Sequence, residues 1–293
     1  IPYVQYPPIK IIRNTRNKVH SKRKNSETGE AEKDPQTGKI RHFTKSDGSI
    51  PCDNITGSAI LDDGTMLFTS YGGGVFKWDG RSSDSLWCPD EKFNFNTRFC
   101  SHVFKDNYGS IWILTFNRGI VCLMPDGKWR QFTRDNSDLV SDFMTSMTYS
   151  PELDKVFVSN RQCIYEIQTN NMTLKKVIDF SQVTNLFIDS RCILWIGTTD
   201  GLYYTYMTQD SGISKIDISD GLSHNSITGI GEDMKGDLWV TTNHGFTHIY
   251  IIDDPHKKSI EPRCFPYYED DGTGDGRFTH NSICFSEDGS ILL

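Results

Sequence analysis

The residues best equipped for chemistry stand at turn-rich points between apolar runs: Tyr71, Arg118, Arg161, Asp200, His224, Asn225, His244 and His280. An aromatic ring can stack on a sugar face, and amides, guanidinium groups and carboxylates can pair with its hydroxyls. That is recognition chemistry. Catalysis has less to point to, since no GxSxG, HExxH or phosphate loop is present and the histidines are scattered. Asp and His sharing one loop face could still serve as acid and base, so a glycan lyase or hydrolase stands as the alternative to a binding module. No cofactor motif is read. Eight cysteines occur, at 52, 88, 100, 122, 163, 192, 264 and 284, none in CxxC spacing. Several sit inside apolar runs, where a thiol behaves as a small hydrophobe. The acidic stretch "YYEDDGTGDGRF", residues 267–278, lacks the alternate carboxylates of a calcium loop and reads as a turn, and no metal site is read elsewhere.

What could position such residues is a repeated phrase. "ILWIGTTDGLYY" begins at Ile193 and "DLWVTTNHGFTHIY" at Asp237, with Trp, Thr and Gly at matching offsets. Further copies put Leu67, Trp112, Phe157 and Leu292 in the slot of Trp195 and Trp239. The slot recurs every 40 to 50 residues or so, and each copy divides into four short runs rich in Val, Ile, Tyr and Thr, bounded by turn residues. Gly109 and Gly236 mark the turn before the slot, and Thr115, Thr198 and Thr242 follow it at constant distance. No helical periodicity intervenes. The reading is all-β: a β-propeller of four-stranded antiparallel blades, six or seven in number, in what reads as a piece of a longer protein. Trp112, Trp195 and Trp239 then fill the space between adjacent blades, since one blade cannot bury that face alone.

These phrases resemble the two-component regulator propeller repeat. "GLSHNSITGIGEDMKGDLWVTTNHGF", residues 221–246, follows that pattern almost position for position, and "VTNLFIDSRCILWIGTTDGLYYTY" and "SHVFKDNYGSIWILTFNRGIVCL" follow it closely. The departures are Leu67, Phe157 and Leu292 for Trp, Cys192 for Gly, and the lack of a Gly after Asn160. The resemblance implies the periplasmic, glycan-sensing part of a hybrid two-component histidine kinase of gut Bacteroidetes, anchored in the inner membrane and working as a homodimer. It also implies that the ligand is a glycan fragment or other small molecule, that this region is not itself an enzyme, and that it needs no cofactor.

In such a blade, the loops joining strands two and three share a face with those leading into strand one. The first set offers Tyr71, Asn117, Arg118, Arg161, Gln162, Asp200, Asn243 and His244. The second offers Asn54, Arg98, Asp142, Phe143, His224, Asn225, His280 and Asn281. Residues 41–293 hold the repeats. Residues 1–40 are expected to add strands to a composite blade, with "YVQYPPIKII" third, "KIRHFT" fourth and the terminal "SICFSEDGSILL" first and second. The basic run at 10–24 and the polar run at 25–38 read together as a long exposed loop. A net charge of −7 argues against nucleic acid as a partner. A protein-binding scaffold remains the third reading.

Overall fold

The computed structural model describes residues 11–12, 30–33, 40–79, 83–85, 98–254, 259–271, 277–278, 281, 283–285 and 291–292. Among these, the chain is strand and turn throughout, with two short 3-10 turns at Ile218–Asp220 and Glu269–Asp271. No helix of the described residues is long and apolar enough to cross a membrane.

Five sheets of four strands each follow one another along the chain, every strand paired with its neighbours in sequence. Sheet 1 is Ile55–Ile60, Met66–Ser70, Gly74–Trp78 and Ser83–Ser85. Sheet 2 is Cys100–Lys105, Ile111–Thr115, Ile120–Leu123 and Trp129–Phe132. Sheet 3 is Ser146–Ser150, Lys155–Ser159, Cys163–Gln168 and Thr173–Asp179. Sheet 4 is Val183–Ile188, Ile193–Thr198, Leu202–Tyr206 and Ser214–Ile216. Sheet 5 is Ile227–Glu232, Leu238–Thr242, Phe246–Asp254 and Ser259–Tyr267. Short connections make each an up-and-down meander, the form adjacent antiparallel runs adopt when only a turn separates them.

The second strands are buried on both faces, which is why they read as unbroken apolar runs rather than alternating ones. The molecule divides into two compact units, residues 20–183 and residues 184–293 with 1–19. In the first unit, Trp112 lies in one cluster with Met144, Met147, Val156 and Tyr165 of sheet 3 and its lead-in. In the second, Trp195 clusters with Ile227, Leu238 and Val240 of sheet 5. Each of these indoles thus fills the space beside the next sheet, as its place in the repeat requires. Trp112 and Trp195 are fully buried and Trp239 is 3% exposed.

The terminal segments take the first three places expected of the composite blade, in the order Cys284–Phe285, Ile291–Leu292, Ile11–Ile12, with two differences. Ile11–Ile12 pairs with Ile291–Leu292, which pairs in turn with Cys284–Phe285, but the first pairing is parallel where a meander would make it antiparallel. Ile40–Phe43 is a strand, yet its partner is Glu30–Lys33, four residues of what read as exposed loop. The correction has a local cause: Phe43 is buried with Phe68 and Phe76, which fixes this strand beside sheet 1, and the nearest chain completes its ladder. The basic run itself lies outside the described residues apart from Ile11 and Ile12.

Candidate functional site

Two repeated devices build the loops that carry the candidate residues. The first is a carboxylate that organises the turn between strands one and two. Asp106 Oδ1 accepts the backbone N–H groups of Tyr108 (2.9 Å) and Ser110 (2.8 Å), while Oδ2 accepts the Trp112 indole N–H at 2.7 Å. Asp189 treats Arg191, Ile193 and Trp195 the same way, and Asp233 treats Lys235, Asp237 and Trp239. A buried indole N–H needs an acceptor, and the turn carboxylate six residues upstream supplies it. Where the slot holds Leu67 or Phe157, the sixth residue upstream is Leu61 or Pro151. Acid and indole come and go together. The fourth turn residue takes positive φ, readily at Gly109 and Gly236 and with some strain at Cys192 (59°).

The second device shapes the loop between strands two and three. Thr115 Oγ1 donates to the Gly119 carbonyl and accepts the Arg118 N–H. Thr198 does the same for Gly201 and Asp200, and Thr242 for Gly245 and His244. In sheet 3 the work passes to Asn160, whose Oδ1 accepts from Gln162 and Cys163, so no glycine is needed after it. These loops are tied to the lead-in loops by backbone bonds: Gly72 and Gly74 to Arg98 O, Phe116 to Phe99 O, Gly119 to Asp142 O. In the other unit Gly201 donates to Asn225 O and Asn243 to Ser226 O. Both loop sets therefore share a face within each unit.

On residues 20–183 that face carries a chain of aromatic rings. Tyr71 meets Phe99 edge-on at 4.8 Å and Phe116 at 5.2 Å between ring centres. Phe116 lies 6.2 Å from Phe143, and the Arg161 guanidinium sits 5.2 Å from the Phe143 ring centre. Tyr71 is 50% exposed and Phe143 39%. Large rings left half in water on successive loops are the kind of surface that an apolar ligand face covers. Arg118, two residues from Phe116, is exposed and enters no ion pair among the described residues. Tyr71, Phe116 and Arg161 occupy one repeat position, four residues after the slot, in consecutive sheets. Tyr71, Phe143 and Arg161 were legible as candidates in the sequence. Phe99 and Phe116 escaped notice, although aligning the repeats on Leu67 and Trp112 places Phe116 opposite Tyr71.

In the second unit the candidates are more heavily committed. Asp200 takes a 3.0 Å ion pair from Lys215, whose hydrogen bond holds the carboxyl below its usual range. His224 Nδ1 accepts the Ser226 N–H. Asn225 Oδ1 accepts the Ile218 N–H, its carbonyl accepts from Gly201, and Leu222 nearby is buried. Asn225 is thereby a fold residue as much as a loop residue. His244 is exposed, its ring centre 5.6 Å from that of Tyr268. His280 lies outside the described residues.

Comparison with solved structures gives the fold its relatives. The extracellular domain of a B. thetaiotaomicron protein described as a putative hybrid two component system aligns with a TM-score of 0.68 at 18% identity, over 87% of this chain and 34% of that one. The extracellular domain of a B. thetaiotaomicron protein described as a putative one component system gives 0.68 at 17%, over 90% and 37%. Virginiamycin B lyase of Staphylococcus aureus gives 0.59 at 12%, over 81% and 83%. The chain thus spans about a third of the length of the first two. No curated protein matches it. The family model described as two component regulator propeller matches residues 221–244, the lead-in loop and first two strands of sheet 5. The sheets and this match agree: the chain has a β-propeller fold, and its residues 221–244 match the two component regulator propeller model.

Proposed function

We propose that this chain is the ligand-sensing propeller of a membrane-anchored two-component sensor, that its loop face lies in the periplasm, and that it binds an oligosaccharide without altering it. The observation that carries the reading is the chain Tyr71–Phe99–Phe116–Phe143 ending on Arg161. Sugar rings present C–H faces that stack on exposed aromatic rings, and the guanidinium supplies a fixed fork of donors for hydroxyl or acidic groups. The extracellular domains that share the fold support an extracytoplasmic sensing role, and pairing of two copies would pass the signal on. The lyase that also shares the fold supports a second reading, an enzyme acting on the same ligand.

One experiment separates them. The purified chain is screened against oligosaccharide fragments by calorimetry, with mass analysis of the mixtures. Binding without new products supports the sensor, and Tyr71→Ala should weaken it about tenfold, near 1.4 kcal/mol, with little change in Tm. Turnover would establish the enzyme. Binding to none of the fragments would defeat both.

A further inference from the structure

Three sheets carry the same acid–indole turn, so comparing the copies isolates what one of them adds. Four residues after the turn carboxylate stand Ser110, Ile193 and Asp237. Opposite the indole on the third strand stand Cys122, Tyr204 and His248. Only sheet 5 fills both positions with metal-ligating groups. The frame does not need them, because sheets 2 and 4 fold on neutral residues there.

Their geometry is specific. The His248 ring lies flat on Trp239, 4.3 Å between centres and 9° between planes, which fixes its orientation. His248 Nε2 is buried, has no hydrogen-bond partner among the described residues, and stands 3.4 Å from Asp237 Oδ2. That separation is long for a hydrogen bond. It matches the distance of about 3.3–3.4 Å between two ligands of a tetrahedral zinc ion with bonds near 2.0–2.1 Å. Asp237 is buried, and its Oδ1 accepts the Ile251 N–H at 3.1 Å, which turns Oδ2 toward the histidine. Ligand atoms of Asp233, Asp237 and His248 all lie within 4.8 Å of one another. Of the cations at this turn, Lys235 is exposed, and Arg191, which donates to Gly236 O, is neutralised by Asp189 and Glu232.

We propose that His248 Nε2 and Asp237 Oδ2, with the Asp233 carboxylate as third ligand, bind a divalent cation of the zinc class. Asp233 keeps its bond to the Trp239 N–H, which orients the carboxylate as an outer-shell partner orients a ligand. Two carboxylates and a neutral imidazole together carry two negative charges, which a divalent cation neutralises, so the ion is held by charge as well as by donors. The cation ties the turn before the second strand to the third strand. Its role is to rigidify sheet 5, the sheet whose lead-in matches the sensor repeat.

The test uses the full chain, freed of metal with a chelator and titrated with Zn²⁺ by calorimetry and with Co²⁺ by absorbance. The expected result is one saturating equivalent, a rise in Tm, and a loss of affinity of at least about a hundredfold in H248Q and D237N. Asp210→Asn, at an exposed carboxylate in another sheet's loop, should leave metal binding unchanged. X-ray absorption of the zinc-loaded wild type, which does not depend on how the variants fold, should show one imidazole nitrogen with carboxylate oxygens. No saturating equivalent, binding that survives H248Q, or a shell with two or more imidazoles would overturn the proposal.

Discussion

The carboxylate of Asp106 accepts two backbone donors on one oxygen and an indole on the other, in a site that is 2% exposed. Removing it leaves a buried N–H with no acceptor; removing the indole leaves the turn intact but opens a cavity. The two residues should therefore be coupled. In a double-mutant cycle with Asp106→Leu and Trp112→Leu, mimicking Leu61 and Leu67 of sheet 1, thermal or urea unfolding should give a coupling energy of about 1–2 kcal/mol. Strict additivity would refute the pairing. Gly119 makes a second residue-scale case. It has φ 68°, and a Cβ there would run into the Phe132 carbonyl on the outer strand. Gly119→Ala should cost about 3 kcal/mol, measured as a shift in urea midpoint at unchanged slope. The glycine and the tryptophan were both legible in the sequence, because turn chemistry and bulk recur at fixed offsets. The acid–indole bond was not, since a sequence aligns residues and not the donors that join them.

At the scale of the element, a strand buried on both faces hides whatever polar or reactive groups it carries. Cys100 begins the first strand of sheet 2 and Cys122 lies in its third, and burial pushes both thiols up to about 12. Their thiolate is then negligible at about pH 8. A maleimide or disulfide reagent followed by peptide mapping should label neither in the native protein and both after denaturation, and prompt native labelling would show these strands to be open. The strands themselves were legible from runs of Val, Ile, Trp and Tyr closed by Asp and Gly. Glu30–Lys33 was not, because "EAEK" has weak strand preference and pairs only because Ile40–Phe43, held by buried Phe43, needs a partner. The aromatic chain was half legible. Its members come from loops of different sheets, and Phe99 and Phe116 become neighbours of Tyr71 only once the lead-in loops are bonded to the turns.

At the scale of the molecule, five meanders of like design present loops of unlike content. The unit of residues 20–183 offers rings and arginines, while that of 184–293 offers carboxylate, amide and imidazole groups already bound to their neighbours. A scaffold that repeats its core can vary its loops at little cost to stability, and the repeat at 221–244 is built mainly of scaffold. Of the residues in that match, Leu222 is buried between sheets 4 and 5, and Asn225 bonds the Ile218 turn and Gly201 of sheet 4, so this recognisable stretch is occupied with the fold. On the proposed function, the loops at 71, 99, 116, 143 and 161 carry the ligand contacts. Hydrogen–deuterium exchange with the best oligosaccharide of the screen bound is the most direct measurement of that claim. The account predicts protection at residues 71–74, 98–99, 116–119, 142–143 and 161–162; protection confined to other segments would contradict it.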